Sequence, residues 1–560
     1  MLVKQLLRSI GLPILLLTLT QSTFAQKTIT GKVTDSKDGS PLAGVSVLAK
    51  GSGTGTQTKI DGSFSLSVPS NTSALVVSSV GYASQEVSIA NKTSVDVLLV
   101  ASGASLNEVV VVGYGTARKK DLTGSVSSVQ AKDFVKGPVT NPDQLLVGKV
   151  SGLQIINSSG QPGAVTIVKI RGTNSIRTGN NPLYVVDGIP LDGRAPRPGL
   201  ITSGLGTTPD ANPLTYINPA DIASIDILKD ASSAAIYGSR GANGVILITT
   251  KKGAAGPARV DVGASYGFSG VMRKIKVPDA SEYRSALKTY SAPNSDSGAN
   301  IDPFKSIINS GAPSQNYSVA FSGGTENGRY RASFLYSDQE GIIRKSGLKK
   351  YVASFNEQHK FLDKKLSIDF NVTAANVSEQ IAPISNDAGS DGNIISLALI
   401  WNPTLVLKRA DGTYNQTNPS GQTNPLALSD AYNDGTSITT LLASVSAGYK
   451  ITPDLEYRLL IGVNYGTGSR KQEVQGWVKS FSNAVGGSAN VADEQLSSQT
   501  ITHTLNYTKQ ITSKLNLNAI VGYEYWKTSF QGTGIYGALF DLNQSQNDIT
   551  PYYHYYNNIQ

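Results

Sequence analysis

The sequence that decides the fold runs Leu455-Glu456-Tyr457-Arg458-Leu459-Leu460-Ile461-Gly462-Val463-Asn464-Tyr465. Apolar side chains occupy every second position from Leu455 to Tyr465. A period of two places alternate residues on opposite faces of a β-strand. The same alternation returns at residues 366–374 and 515–525. The pattern therefore predicts strands with one apolar and one polar face.

Nine segments with this alternation follow residue 251, at 260–268, 316–322, 328–337, 351–356, 366–374, 441–449, 455–465, 501–508 and 515–525. Subtraction of these bounds gives connections of 47, 5, 13, 9, 66, 5, 35 and 6 residues. Long and short connections alternate, as in outer-membrane β-barrels. Bacterial single-chain barrels have an even number of strands. Because nine is odd and residues 552–560 have a loop-like sequence, we expect an incomplete barrel that is a fragment of a longer protein.

The composition excludes several classes of site. The chain has 560 residues, no Cys and three His, with a formal charge of +9 from 49 basic and 40 acidic residues. Without Cys there is no disulfide framework, thiolate zinc site or thiol nucleophile. The basic residues are spread along the chain, so no arm for nucleic acid is indicated. We therefore expect no cofactor, no metal and no nucleic-acid partner.

The N-terminus has the pattern of a secretory signal peptide. Lys4 and Arg8 precede an apolar run at residues 10–19, and Thr23-Phe24-Ala25 supplies a small-residue ending. The run is shorter than the roughly 20 residues that a membrane-spanning helix needs. Residues 1–25 are thus interpreted as a signal peptide of an exported protein.

Three regions lie between the signal peptide and the alternating segments. Residues 26–100 have short apolar stretches separated by turns such as Asp61-Gly62, which predicts a small β-sandwich that resembles the carboxypeptidase-regulatory-like domain. Residues 101–118 form a linker in which Glu108 precedes four valines, Val109 to Val112. The valines fit either a buried strand or an extended segment that adds to a partner's sheet. Residues 119–250 mix short helices, including one at residues 143–150, with short strands.

Three motifs carry a family resemblance, and all lie within residues 106–253. The stretch Leu106-Asn107-Glu108-Val109-Val110-Val111-Val112-Gly113-Tyr114-Gly115 resembles a Ton box with its C-terminal flank. Residues 184–191, Tyr-Val-Val-Asp-Gly-Ile-Pro-Leu, resemble a plug motif, and residues 224–253 resemble the end of a plug domain. With this domain order, the chain resembles the SusC/RagA family of TonB-dependent outer-membrane transporters of Bacteroidota.

The resemblance implies a mainly β fold. It consists of the regulatory-like sandwich (26–100), a linker with the Ton box (101–118), an α/β plug (119–250) and the first part of a transmembrane antiparallel β-barrel (251–560). The family's barrel has 22 strands, of which about nine would be present. Residues 26–118 would be periplasmic, and the barrel would contact outer-membrane lipid.

The resemblance also implies active import of an oligosaccharide or, as the less favoured choice, a peptide. TonB, energised by ExbB and ExbD, would pull the Ton box (Glu108 and Val109 to Val112), and a SusD-like surface lipoprotein would deliver the substrate. The alternative function is a surface receptor that binds ligand and triggers transcription. A surface enzyme lacks a credible catalytic constellation, since Gly263-Ala264-Ser265-Tyr266-Gly267 lies inside an alternating strand.

Within the plug, two residue sets are candidate functional positions. Charged residues could hold the plug releasably in the barrel or pair within the plug; they are Arg171, Asp187, Asp226, Lys229, Asp230 and Arg240. The rest, carried over from the plug motifs, are Gly188, Tyr237, Gly238, Gly241 and Gly244, of which the last three are expected to serve turns and close packing. Asp387 and Asp391 in a long connection could bind Ca²⁺ through oxygen ligands, although a solvated loop is the favoured interpretation.

Overall fold

The computed structural model describes residues 26–100, 109–112, 115–118, 126–540 and 553–559, with gaps at 37, 51–53, 71, 80–81, 83, 91, 136, 138, 176–178, 202–204, 209, 386, 388–391, 417–421, 480–486 and 513–514. The expected signal peptide and Glu108 lie outside these residues. The chain divides into two compact units, one up to Val109 together with Arg118–Asp121, and one from Val110 onwards without them.

The first unit contains a β-sandwich of seven short strands: β1 (Gln26–Asp35), β2 (Ser46–Ala49), β3 (Gly55–Gln57), β4 (Ser63–Pro69), β5 (Ala74–Ser78), β6 (Gln85–Ser88) and β7 (Val97–Leu99). One sheet has the order β4-β1-β7 and the other β3-β2-β5-β6. Alternate residues face inward, as in β4, where Phe64, Leu66 and Val68 are buried. A core of this kind is what the turn-separated apolar stretches predict.

The valine-rich segment is a strand. β8 (Val109–Val112) and β9 (Gly115–Arg118) form a two-stranded sheet of their own.

The α/β plug, next along the chain, is built around a five-stranded sheet of order β10-β15-β16-β13-β14. The plug strands are β10 (Val126–Gln130), β11 (Leu153–Asn157), β12 (Thr166–Ile170), β13 (Leu183–Val186), β14 (Ile189–Pro190), β15 (Ile222–Leu228) and β16 (Val245–Thr250). β13 and β16 run parallel, whereas β11 and β12 form a separate antiparallel hairpin. The central strand β16 is buried along Val245 to Ile248 because it has covered faces on both sides.

One expected plug helix is shorter than the sequence suggested. The prediction at residues 143–150 is wrong in extent, because the structure has a 3-10 helix at Pro142–Leu146 only. Gly148, two residues after the helix ends, has φ of 71°, a left-handed conformation that does not continue a helix.

In the described residues, ten antiparallel strands in sequential order form the barrel sheet, and its two edge strands do not pair with each other. They are β17 (Gly256–Ser269), β18 (Ala312–Gly324), β19 (Gly328–Glu340), β20 (Gly347–Phe361), β21 (Leu366–Gln380), β22 (Tyr432–Thr452), β23 (Leu455–Val474), β24 (Gly487–Thr512), β25 (Leu515–Phe540) and β26 (Tyr553–Ile559). The nine predicted segments correspond to β17 to β25. β26 lies where the sequence suggested a loop, and it pairs with the end of β25.

The alternation of connections persists in the structure. Residues 270–311, 341–346 and 381–431 connect strands at one rim, which we call the long-connection rim and at which β23 also ends and β24 begins. Residues 325–327, 362–365 and 453–454 connect them at the short-turn rim. Each connection at the first rim is longer than its neighbours at the second.

The exposed face of the barrel sheet is apolar and the buried face is polar, which is the reverse of a water-soluble protein. On β23 the exposed residues include Ile461 and Val463, at 46% and 36% exposure, while Asn464 is only 5% exposed. On β24 the buried residues include Thr500, Thr502 and Thr504. Apolar residues outside and polar residues inside are what a lipid-facing barrel with a filled lumen requires.

The length of the apolar band fits a bilayer. Outward positions of β23 are apolar from Leu455 to Tyr465 and polar beyond, at Thr467 and Ser469. Ten residues at about 3.3 Å each span about 33 Å along a strand, or about 25 Å of height at the usual tilt of ~40°. Aromatic pairs lie on the same outer face, such as Tyr336 and Tyr351 with ring centroids 5.2 Å apart.

The connections at the long-connection rim also carry structure. Helices at Ala280–Thr289, Ile394–Ile400 and Pro425–Ala431 lie there. An apolar cluster joins Ile394, Leu397 and Leu428 with Leu205 of the plug. None of the helices in the described part of the chain is long and apolar enough to span a membrane.

Candidate functional site

Five of the six charged plug candidates have their described contacts inside the plug. Arg171 forms an ion pair with Asp230, and the Lys229 ammonium donates to the carbonyl oxygen of Ser151 at 3.3 Å. These partners all belong to residues 126–250, so the pairs tie plug segments to one another.

Asp187 and Gly188 form the turn between β13 and β14. Both have positive φ, 46° and 88°, and Asp is one of the few non-glycine residues that tolerate this region. The Asp187 carboxylate accepts hydrogen bonds from the backbone N–H of Thr250 at 3.0 Å and from its hydroxyl at 2.7 Å. The side chain thus ties the turn to the end of β16.

Asp226 and Tyr237 are buried in the plug interior. Asp226 lies on β15 at 1% exposure, with the Ser224 hydroxyl donating to it at 3.5 Å. Tyr237 is 3% exposed, and burial raises the pKa of its phenol above the ordinary value, with the Glu524 carboxylate adding to the shift.

Gly244 and Gly241 allow close packing at the end of the plug. A Cβ on Gly244 would lie 2.7 Å from Cδ1 of Ile170 and 3.0 Å from the carbonyl oxygen of Leu228, and its φ is 87°. A Cβ on Gly241 would lie 2.7 Å from the carbonyl oxygen of Ala234. Gly238 has φ of 60° but open space around it.

Arg240 is the charged candidate that reaches the barrel. Its guanidinium pairs with the carboxylate of Glu524 on β25 and lies 5.0 Å from the ring centroid of Trp526. This residue therefore joins the plug to the wall through both charge and aromatic contact.

Two further plug–barrel ion pairs were not found from the sequence. The Arg331 guanidinium on β19 lies 2.8 Å from the Asp221 carboxylate of the plug. The guanidinium of Arg197 in the plug lies 3.1 Å from the carboxylate of Glu379 on β21, with side-chain exposures of 5% and 1%. The available signal was a charged residue at an inward position of an alternating segment, which Arg331 satisfies in 328–337, whereas Glu379 lies beyond the predicted segment 366–374.

A buried lysine completes the polar interface. Lys350 on β20 donates to the backbone carbonyl oxygens of Thr140 at 2.7 Å and Thr215 at 3.2 Å, both in the plug. The contacts of this lysine also could not be assigned from the sequence.

A cavity of about 570 Å³ lies between the plug and the barrel wall. Its barrel lining comprises Arg470, Glu494 and Phe530, and its plug lining includes Arg194 and Thr208. Arg470 and Glu494 are near the ends of β23 and β24 at the long-connection rim. The cavity therefore lies in the half of the lumen nearest that rim.

Hydrogen bonds to the barrel and to the plug hold Arg470 in the cavity wall. Its guanidinium donates to both Asp434 carboxylate oxygens, at 2.9 and 2.6 Å, and to the Pro198 carbonyl oxygen and the Thr208 hydroxyl of the plug. Arg194 lies 4.2 Å from the ring centroid of Phe530. The result is a pocket with charged, polar and aromatic groups, suited to recognising a polar ligand.

Asp143 is a buried carboxyl in the plug. Burial raises its pKa to about 6, and hydrogen bonds from Asn212 and Tyr184 partly oppose this rise. The Asn212 amide donates to it at 2.8 Å, and Tyr184 also lines the cavity.

The calcium and nucleophile candidates from the sequence do not form reactive sites in the described residues. Asp387 accepts hydrogen bonds from the backbone and hydroxyl of Thr207, whereas Asp391 lies outside the described residues. No group of three or more acidic or His side chains placed to hold a metal is found in the described part of the chain. Ser265 lies within β17, where the nucleophile motif would need a strand-to-helix turn.

Comparison with known proteins matches both regions of the chain before the barrel. The family described as TonB-dependent Receptor Plug Domain matches residues 118–245. The CarboxypepD_reg-like domain matches residues 29–111.

Curated relatives extend the match into the barrel. TonB-dependent receptor P3 of Formosa agariphila is 32% identical over 527 residues, covering 93% of this chain and 50% of that protein. TonB-dependent receptor SusC of Bacteroides thetaiotaomicron is 34% identical over 476 residues, covering 80% of this chain and 45% of that protein. The chain spans about half the length of the curated relatives it matches.

A solved structure shares the fold. The RagAB peptide importer in its open-open state superposes with a TM-score of 0.64 at 23% identity, covering 78% of this chain and 52% of that one. Domain matches, relatives and fold agree, and the chain belongs to the SusC/RagA family of TonB-dependent receptors.

Proposed function

We propose that this chain serves TonB-dependent import of a nutrient across the outer membrane of a Bacteroidota-like bacterium. The observation that carries the proposal is a plug held against a lipid-facing barrel wall by buried polar contacts, downstream of a valine-rich strand. In this proposal the long-connection rim faces outward, and residues 26–118 lie in the periplasm.

The valine-rich strand β8 is the proposed attachment point for TonB, energised by ExbB and ExbD. An extended strand can add to a partner's sheet edge through backbone hydrogen bonds, and a main chain paired in this way can bear a pull. β8 is already paired with β9 on one side. TonB would therefore pair with the other edge of β8 or displace β9.

The polar plug interface supports a plug that is held but can be released. A buried ion pair has a large desolvation cost, so its net contribution to stability is small even when its geometry is good. When water enters a lumen, the separated charges of Arg331 and Asp221 regain hydration. An apolar seal of the same area would resist hydration more strongly.

For the substrate we propose an oligosaccharide, in preference to a peptide, delivered by a SusD-like surface lipoprotein. The cavity of about 570 Å³ near the long-connection rim supports a polar ligand entering from outside. The guanidinium of Arg194, the carboxylate of Glu494 and the ring of Phe530 offer hydrogen-bonding and stacking groups for a sugar.

Deletion of residues 108–112 in the source strain tests the proposal. We expect loss of nutrient uptake with unchanged amounts of assembled protein in the outer membrane, because the plug and barrel contacts lie downstream. Normal uptake by the deletion strain would contradict it. A ligand that triggers transcription in the intact strain without being taken up would favour the receptor alternative.

A further inference from the structure

Two adjacent lysines on β20 have opposite environments. Lys349 faces outward with 60% side-chain exposure and lies 3.3 Å from the Asp338 carboxylate. Lys350 faces inward and is 1% exposed. The period of two on a strand explains the difference, and the pair supplies its own matched control.

Lys350 holds the plug through backbone atoms. Its ammonium donates to the carbonyl oxygens of Thr140 at 2.7 Å and Thr215 at 3.2 Å, and no carboxylate among the described residues lies within ion-pair distance of it. Gln339 on the neighbouring strand accepts the Thr140 hydroxyl at 2.6 Å. The barrel wall therefore grips Thr140 by both its side chain and its carbonyl; we call Lys350 and Gln339 the Thr140 clamp.

The clamp binds two plug segments that are also joined to each other. Thr140 precedes the 3-10 helix Pro142–Leu146, and Thr215 lies about 75 residues further along the chain. The two segments are joined by the Asn212 amide, which donates to the Asp143 carboxylate at 2.8 Å. A pull that reached Thr140 would thus have to break contacts to the wall and to a second plug segment together.

The plug upstream of Thr140 lacks such an anchor. The hydrogen bonds of the described residues in 126–139 all go to other plug residues, as in the bond from Val135 N–H to the Leu145 carbonyl. Among the described strands, β10 is an edge strand whose one partner is β15. An edge strand at the pulled end of a sheet can be peeled away without disturbing the strands behind it.

We propose that pulling on residues 109–112 withdraws the plug up to residue 139, and that the Thr140 clamp is where the withdrawal stops. The inference rests on the proposed function, since it needs a pull from the periplasm. Lys350 and Gln339 are then positioning residues, which separate a movable part of the plug, up to residue 139, from a fixed part that follows.

Thiol labelling in energised cells tests the clamp, because the chain has no cysteine of its own. Val129→Cys reports on the movable part and Val168→Cys on the fixed part; both valines are buried in the same apolar cluster, at 5% and 1% exposure. Each is labelled with a maleimide probe in the full-length protein, with and without an uncoupler. The two substitutions are repeated with Lys350→Met, with Thr140→Val and with the outward control Lys349→Met.

The proposal expects energy-dependent labelling at position 129 but not at 168. With Lys350→Met, labelling at 168 should rise toward the level at 129, and with Lys349→Met it should not. Thr140→Val removes only the Gln339 contact and leaves both Lys350 bonds, so it should raise labelling at 168 less than Lys350→Met does. Lys350→Leu replaces Lys350→Met if the latter does not assemble. Labelling at 168 with the clamp intact, or no gain at 168 when the clamp is removed, would overturn the clamp. Absence of energy-dependent labelling at both positions in every background would instead refute the pull itself, and with it both proposals.

Discussion

The guanidinium of Arg331 on barrel strand β19 lies 2.8 Å from the carboxylate of Asp221 in the plug, although the two residues are 110 positions apart. Both side chains are about nine-tenths buried. The Asn218 amide also donates to Asp221, at 2.9 Å, so the carboxylate is held from the plug side as well. The pair joins a preorganised plug turn to the lumen wall.

Breaking this pair from one side should loosen the plug strongly. Arg331→Met or Asp221→Leu is expected to cost about 3–5 kcal/mol of plug stability, because each leaves a buried charge without its buried ion-pair partner. The double variant Arg331→Met/Asp221→Leu should cost much less than the sum of the two single effects. A double-mutant cycle on urea-induced plug release measures this, and additive single effects would contradict a buried, coupled pair.

Gly244→Ala should destabilise the plug more than Gly238→Ala. Both glycines have positive φ, which costs a residue with a Cβ about 1–2 kcal/mol. Only at Gly244 would the new Cβ also meet Ile170 and the Leu228 carbonyl. Plug stability of the two variants under identical conditions provides the comparison, and equal losses would show that close packing at Gly244 is unimportant.

Asp143 should make plug stability depend on pH. Burial raises its pKa from 3.8 to about 6, so the folded plug keeps a proton that the unfolded chain has lost. The contribution is greatest below the unfolded pKa and falls by up to about 3 kcal/mol as the pH rises through the folded value.

The measurement is a urea titration between pH 4 and pH 7, read from a fluorophore on Ser128→Cys. Asp143→Asn should remove this part of the pH dependence while leaving the rest of the profile unchanged. An identical pH dependence in the variant would mean that the carboxyl is ionised in the folded plug.

A charge on the outer face should be costly only within the apolar band. Ile461→Lys lies in the middle of that band and is expected to cost about 2–4 kcal/mol, whereas Ser469→Lys, above it, should cost about 0–1 kcal/mol. Folding of the two variants of the full-length protein into lipid vesicles separates these values. Equal costs would contradict the position of the bilayer along β23.

The barrel pattern could be read from the sequence because lipid outside and a polar lumen inside impose a period of two. Ile461, Val463 and Asn464 show this directly. β26 (Tyr553–Ile559) was missed because its sequence, rich in Tyr and Asn, does not alternate in polarity. The helix at Pro142–Leu146 was overextended because Gly148 in a left-handed conformation is not distinguishable from a tolerated helical glycine.

Most contacts between the plug and the barrel could not be predicted from the sequence. Lys349 and Lys350 are identical in type and adjacent, and only the strand's orientation against the plug decides which one is buried. The partner of Arg331 depends on how a plug turn docks, which no local pattern encodes. The charged residues that the motifs highlighted, such as Arg171 and Asp230, pair within the plug instead.

Import should depend on backbone pairing of β8 with TonB. This dependence is tested by energy-dependent nutrient uptake in the source strain carrying Val110→Pro, with Val110→Ala as the matched control. Proline removes a backbone donor and disfavours strand pairing, whereas alanine changes only the side chain. Uptake should be lost with Val110→Pro and retained with Val110→Ala, at equal levels of assembled protein. Equal uptake by both variants would contradict it.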